Sequence, residues 1–372
     1  MKLNYYEQEF LALVKSGLWE QDAQLSAYSF IDYSAIFKLA EEQSVVGLVA
    51  AGLEHWADVK IPKEDILRFV GHAIQLEQRN MAMNEFVAKL IDRLRNNGVR
   101  AILVKGQGIA QCYERPLWRS SGDIDLLLCG DNYSKAINII DEIADNKEHE
   151  TVKNKERQHQ DYQIGGWIVE LHGTLHTNLS RKVDKEVDCV QNEVCNNEYF
   201  RLWKNGNTQI TLPRADEDVI FVFTHILQHL FLEGIGLRQV CDWCRLLFTF
   251  HQELDLRLLG SRIRKAGIMS EWKVFASLTV DYLGMPSDKM PFYDNRFSKK
   301  GARLLSFMLS VGNFGHNRVG TNHQGNNSRR ISIVCHKVID TIRLGCIFPK
   351  DAPLFLINYA WDGLTGVIYK FR

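Results

Sequence analysis

The chain carries 372 residues, enough for roughly two or three sub-domains and a substantial core without disulfides or a structural metal. Lys plus Arg and Asp plus Glu stand at 45 each, so no overall positive field exists to hold a nucleic-acid backbone, and polymeric nucleic acid is not the expected partner. The N-terminus lacks the apolar run and cleavage site of a secretory signal, and no apolar stretch is long enough to span a membrane, so a cytoplasmic protein is expected. The eight cysteines follow no repeating spacing, which predicts mostly buried free thiols in a reduced compartment rather than a disulfide framework.

From residue 4 to about 97 the apolar residues recur at helical spacing, most clearly Met83, Phe86, Val87, Leu90, Ile91 and Leu94, with Gly98 as a C-terminal stop. The period then changes. Residues 99–104 suit a short buried strand, 106–113 a helix entered through a glycine turn, and 123–129 a second strand. Asp131 can cap a helix bearing Ala136, Ile137, Ile140 and Ile143, and the charged stretch 146–157 reads as an exposed edge or loop. Residues 159–164 and 167–171 flank Gly165-Gly166, a two-residue hairpin signal. After Pro213 the strand signals fade: Asp216 opens a strongly apolar helix through Phe221 and Leu230, and helical patterns continue, interrupted by a Gly-, Asn- and His-rich loop at 311–327. The expected fold is α+β, with a small mixed sheet at residues 99–212 between helical regions at 1–98 and 213–372.

Residues two apart on a strand share a face, so Asp123 and Asp125 present two carboxylates side by side while Ile124, Leu126 and Leu128 face the core. Like charges this close repel unless a divalent cation neutralises them, and hard oxygen ligands suit magnesium, which also takes phosphate oxygens. The turn Lys105-Gly106-Gln107-Gly108 between strand and helix offers backbone amides to phosphate, although its spacing is not that of a P-loop. A third carboxylate, Glu170 in Trp-Ile-Val-Glu-Leu-His, lies on a strand able to neighbour the Asp-Ile-Asp strand and share its metals or accept a proton. Magnesium-dependent phosphoryl or nucleotidyl transfer follows.

The ordered motifs Leu-Val-Lys-Gly-Gln-Gly-Ile-Ala, Arg119, Gly-Asp-Ile-Asp-Leu-Leu and Val-Glu-Leu-His resemble the bacterial family-5 nucleotidyltransferases of the polymerase β superfamily, over residues 99–175. The stretch from His225 to Trp243 is similar to the helical region that follows in that family. The resemblance implies two magnesium ions on Asp123 and Asp125, a metal site completed by Glu170, a nucleoside triphosphate held at Gly106 and its neighbours, and Lys105 and Arg119 on the phosphates. The donor's nucleoside monophosphate would pass to a hydroxyl-bearing acceptor, a small molecule or a protein. The sequence departs from the superfamily at Gln107, where Gly or Ser usually follows the motif glycine, and Ser120 or Ser121 is an alternative phosphate-binding hydroxyl.

Other residues carry a plain reading beside the functional one. Lys105 and Arg119 are either strand-end charges or phosphate cations, Arg119 being the better suited through its bidentate fork. His172 is either a substrate contact or a structural hydrogen bond at the sheet's end. His225 and His229 lack the Glu and third ligand of a zinc motif and read as packed or capping residues; Cys241 and Cys244 read as one buried helix face. Arg238 and Asp242, one helical turn apart, read first as an ion pair, with Arg238 on a phosphate as the second reading. The C-terminus, with Phe355, Tyr359, Trp361, Lys370 and Arg372, reads as an amphipathic packed helix. Two other function classes fit parts of the pattern: an Asp-x-Asp glycosyltransferase using a nucleotide sugar, and a non-catalytic module that binds nucleotide.

Overall fold

The computed structural model describes residues 3–22, 31–56, 61–145, 158–196, 199–315 and 326–354. The charged stretch 146–157, most of the glycine-rich loop and the aromatic C-terminus lie outside the described residues.

Helix α1 (Tyr5–Trp19) opens with a reciprocal cap: the Asn4 side chain accepts from the Glu7 amide at 2.9 Å, and the Glu7 carboxylate accepts from the Asn4 amide at 2.8 Å. Helices α2 (Tyr33–Glu42), α3 (Val46–Glu54) and the 34-residue α4 (Lys63–Asn96) complete the N-terminal helical part. On α4 the apolar series Met83, Val87, Leu90, Ile91 and Leu94 is buried as its spacing predicts.

A four-stranded sheet follows, built from β1 (Ile102–Val104), β2 (Asp123–Leu127), β3 (His159–Ile164) and β4 (Trp167–His172) in the order β1-β2-β4-β3. The β1–β2 and β3–β4 pairs are antiparallel and the central β2–β4 pair is parallel, so the sheet is mixed and the fold is α+β. Both glycines of the β3–β4 turn have positive φ, 57° for Gly165 and 83° for Gly166, the conformation that a two-residue hairpin requires. Between β1 and β2 lies the one-turn helix α5 (Gly106–Ala110), and α6 (Asp131–Asp141) follows β2.

The segment 173–212 holds elements the periodicity did not reveal: α7 (Arg181–Asn196) and a separate hairpin of β5 (Arg201–Asn205) and β6 (Thr208–Leu212). Helices α8 (Ala215–Leu232), α9 (Leu237–Thr249), α10 (Leu256–Ala266), α11 (Met269–Leu283), α12 (Ser298–Val311) and α13 (Asn326–Gly345) form the rest.

Strand alternation divides the sheet between two cores. Leu103, Ile124, Leu126, Val169 and Leu171 join α4 and α6 in the smaller apolar cluster. Ile102, Val104 and Leu127 turn the other way, into a larger cluster that unites α1–α3 with α8–α12. The first and last thirds of the chain therefore share one core, and Trp19 on α1 donates its indole N–H to the Leu283 carbonyl at 2.6 Å. Asp123 and Asp125 lie on this second face of the sheet.

The cysteines differ from the expectation of mostly buried free thiols. Cys129, just past β2, is bonded to Cys195 in the last turn of α7, with 5.6 Å between their Cα atoms. The two are 66 residues apart, and only the packing of α7 beside the end of β2 brings them together, so spacing could not reveal the pair. Cys112, Cys241 and Cys244 are free and buried, while Cys189 and Cys346 are free and exposed. Among the described residues no helix is long and apolar enough to cross a membrane.

Gly47 on α3 supports the segment that leads into β2: a Cβ there would stand 1.9 Å from the Trp118 carbonyl oxygen. Gly47→Ala should cost about 1–3 kcal/mol of stability through backbone displacement, read from urea denaturation. On α11, burial first and Asp351 second push the Glu271 carboxyl up to about 8 from 4.5. Because the folded value is the higher one, the stabilising form is the protonated acid. Its contribution is full below about pH 4.5 and is lost as pH rises towards about 8. Glu271→Gln should gain on the wild type across that window, in denaturation midpoints taken at both ends.

Candidate active site

The site begins where β1 ends. Lys105 has φ 58° and ψ −149°, a region nearly reserved to glycine that costs about 1–3 kcal/mol for a residue with a Cβ. The side chain held by this strained turn places its ammonium 2.6 Å from Asp125 Oδ1 and 3.1 Å from His225 Nε2 on α8. Burial alone would lower the Lys105 pKa, but Asp125, Asp123 and Glu170 outweigh it and the net shift is upward, so the group stays an ammonium. Burial, and after it the charge of Lys105, hold the His225 imidazole well below its ordinary value, leaving it neutral.

The three acids meet on the face directed at α8 and α9. Asp125 stands opposite Glu170 in the parallel β2–β4 register, and Asp123 lies two residues before it on the same face. Asp125 is 1% exposed. Its charge, and then burial, raise the Asp123 pKa, with Lys105 acting against them. Glu170 shifts downward: burial acts upward, but hydrogen bonds from His159 and His172 and the charge of Lys105 prevail, so it remains ionised.

Two histidines flank Glu170. His172 Nε2 lies 2.9 Å from Asp125 Oδ1 and 3.4 Å from Glu170 Oε2; His159 Nε2 lies 3.1 Å from Asp161 Oδ1 and 3.6 Å from Glu170 Oε2. The two rings stack with centroids 4.6 Å apart. Hydrogen bonds to Asp161 and Glu170 raise the His159 pKa to about 9.

Behind the acids, the segment before β2 is fastened by one buried ion pair. Arg119 donates from Nε and Nη2 to the two carboxylate oxygens of Asp242 on α9, each at 2.7 Å, and Tyr113 Oη donates to the same carboxylate at 2.7 Å. This corrects the expected Arg238–Asp242 pair: Asp242 is taken by Arg119, which is nearer in space though far in sequence. Arg119 also donates to Ser121 Oγ at 3.1 Å, Ser121 donates to Gln107 Oε1 at 2.9 Å, and Gln107 donates to Asn84 Oδ1 at 2.8 Å on α4. Gln107 and Ser121 thus hold the turn to its neighbours, and Gly106 starts α5 beside the Asp123 carbonyl. The Ser120 carbonyl accepts from Arg238 Nη1 at 3.0 Å. Arg238 Nε is buried with no hydrogen-bond partner, and among the described residues no acid forms an ion pair with it. Burial, and next the charge of Arg119, lower the Arg238 pKa, while Asp242 and Asp123 act upward.

With this geometry in view, a family model described as "Uncharacterised nucleotidyltransferase" matches residues 29–284, more than half of the chain and the whole of the site. The chain belongs to that nucleotidyltransferase family. No curated protein and no solved structure matches it. The match runs from just before α2 to the end of α11, so it takes in the helices on both sides of the sheet.

Of the residues the sequence singles out, this nucleotidyltransferase brings Lys105, Asp123, Asp125, Glu170 and His172 together, and commits Arg119, Gln107 and Ser121 to holding the segment between β1 and β2. Sequence reasoning missed His159, Asp161 and His225. The hairpin register carried a signal for the first two, since it sets Asp161 opposite Glu170 and His159 opposite His172. The donor set fits a magnesium-type cation: Asp123, Asp125 and Glu170 offer carboxylate oxygens whose mutual repulsion a dication would relieve, and Lys105 already lends one positive charge there. Arg119→Ala should cost about 3–5 kcal/mol in chemical denaturation, because it strands a buried Asp242 charge.

Proposed function

We propose that the chain transfers a nucleoside monophosphate from a nucleoside triphosphate to a hydroxyl-bearing acceptor, forming a bond from the acceptor oxygen to the α-phosphorus and releasing pyrophosphate. The observation that carries this reading is the convergence of Asp123, Asp125 and Glu170 on one sheet face, with Arg238 Nε, among the described residues, left without a hydrogen-bond partner. Asp123, Asp125 and Glu170 would hold magnesium, which when bound supplies positive charge to the phosphates and acidifies the acceptor hydroxyl.

The chain's own groups do the rest. Glu170 stays ionised and can accept a hydrogen bond from the acceptor hydroxyl, orienting it for attack. Lys105 contributes a fixed positive charge beside Asp125. Arg238, rather than Arg119, is the cation with donors to spare for a phosphate, since the Arg119 fork is filled by Asp242. The zero net charge gives no field for a polymeric nucleic acid, so a small molecule or a protein is the acceptor class this reading favours.

Thermal stability with each nucleoside triphosphate and with nucleotide sugars, with and without magnesium, tests the proposal without a known acceptor. A triphosphate at a hundredfold excess over its Kd should stabilise the wild type by about 2.7 kcal/mol in magnesium. Asp123→Ala should abolish the magnesium-dependent part, and Arg238→Ala should weaken triphosphate binding by about 1.5–3 kcal/mol. Stabilisation by nucleotide sugars alone, or undiminished triphosphate binding in Asp123→Ala, would sink the reading.

A further inference from the structure

We propose that His159, Glu170 and His172 form a second cation site, for a transition-metal dication of the zinc, cobalt or manganese type, beside the all-carboxylate set. It does not rest on the nucleotidyl-transfer reading, although Glu170 is common to both.

The first ground is distance. One ligand atom from each of the three residues lies within 4.8 Å of the others. Two ligands each about 2.1 Å from a tetrahedral metal stand about 3.4 Å apart. Glu170 Oε2 lies 3.4 Å from His172 Nε2 and 3.6 Å from His159 Nε2, so both histidine–carboxylate edges already have that length. The two imidazoles stack with centroids 4.6 Å apart, so the His159 ring must turn to aim its lone pair at a shared ion, which a side chain 42% exposed on the outer strand β3 can do.

The second ground is an excess of acceptors. His172 Nε2 faces Asp125 and Glu170 together, at 2.9 and 3.4 Å, and His159 Nε2 faces Asp161 and Glu170, at 3.1 and 3.6 Å. A ring nitrogen carries at most one proton, so each Nε2–H serves one carboxylate well and the other poorly. A dication between the rings satisfies Glu170 from both sides, with Asp125 and Asp161 left as further ligands or as partners that orient the site.

The third ground is register. His159 pairs with His172 across the antiparallel strands, and Asp161 pairs with Glu170, so the backbone places the donors on one face before any side chain moves. Two imidazole nitrogens with one carboxylate select a borderline metal, whereas magnesium prefers oxygen alone. Three protein ligands leave coordination positions open, and Glu170 stands opposite Asp125 in the β2–β4 pair. A water, a hydroxyl or a phosphate oxygen would complete the coordination.

Cobalt(II) added to the metal-free full chain, in the presence of excess magnesium, is the probe. The expected result is one tightly held cobalt with a ligand-field absorption band, displaced by zinc and not by magnesium. His159→Ala should weaken cobalt binding by at least the ~10–100-fold that losing an outer partner costs. Asp123→Ala should leave cobalt binding unchanged, and His159→Ala should keep the magnesium-dependent stabilisation by triphosphate. His159→Gln replaces the alanine variant if the latter unfolds. Failure of cobalt to bind, displacement by magnesium, or equal affinity in wild type and both His159 variants overturns the site. A wild type that binds cobalt but gains no magnesium-dependent stabilisation from any triphosphate would overturn the nucleotidyl-transfer reading and leave this site standing.

Discussion

Three carboxylates are held together on one face of a small sheet, largely out of water, with a single lysine against them. Asp123, Asp125 and Glu170 could each be hydrated in the unfolded chain; folding gathers them into a medium where like charges repel strongly. Lys105 offsets part of that repulsion and is held in a strained backbone conformation to do so. A fold that keeps such a cluster spends stability on chemistry, since an apolar face would pack at lower cost.

The surrounding architecture serves that cluster. One face of the sheet rests on α4 and α6 through an apolar layer, which leaves the other free to carry acids at β2 and β4 beneath α8 and α9. Helix α8 supplies His225, whose neutral ring accepts from Lys105, and α9 supplies both Asp242 and Arg238. The two arginines have different tasks. Arg119 is spent on Asp242, and with Ser121 and Gln107 it joins α9, the turn after β1 and α4 into one hydrogen-bonded chain. Arg238 keeps its Nε free among the described residues, and its charge acts on Asp123.

Glu170 is common to the two proposed cation sites. On one side its carboxylate lies on the same sheet face as Asp123 and Asp125, an all-oxygen set of the kind magnesium takes. On the other its Oε2 faces two imidazoles, a donor combination that magnesium does not favour. The Cys129–Cys195 bond lies close to this assembly, tying the end of β2 to the end of α7 and so bracing the strand that carries two of the acids.

The sequence by itself determined the helix–sheet–helix order of the main elements and which face of β2 carries its acids, but not α7 or the β5–β6 hairpin. Strand alternation put Asp123 and Asp125 on one face, the glycine pair at 165–166 announced the hairpin, and the spacing along residues 83–94 announced the buried face of α4, because each of these is a local, periodic property of the chain. The altered turn at Gln107 was visible, but not that its side chain is turned towards α4 and Ser121. Partner choice was decided only by the tertiary structure. The sequence offered Asp242 only its helical neighbour Arg238, one turn away. The fold chose the residue 123 positions away because that guanidinium meets the carboxylate with both donors in line. The approach of His225 to Lys105, and the pairing of Cys129 with Cys195, were decided in the same way. Charge pairing, ligation and cross-linking act through space, and no periodicity along the chain records them.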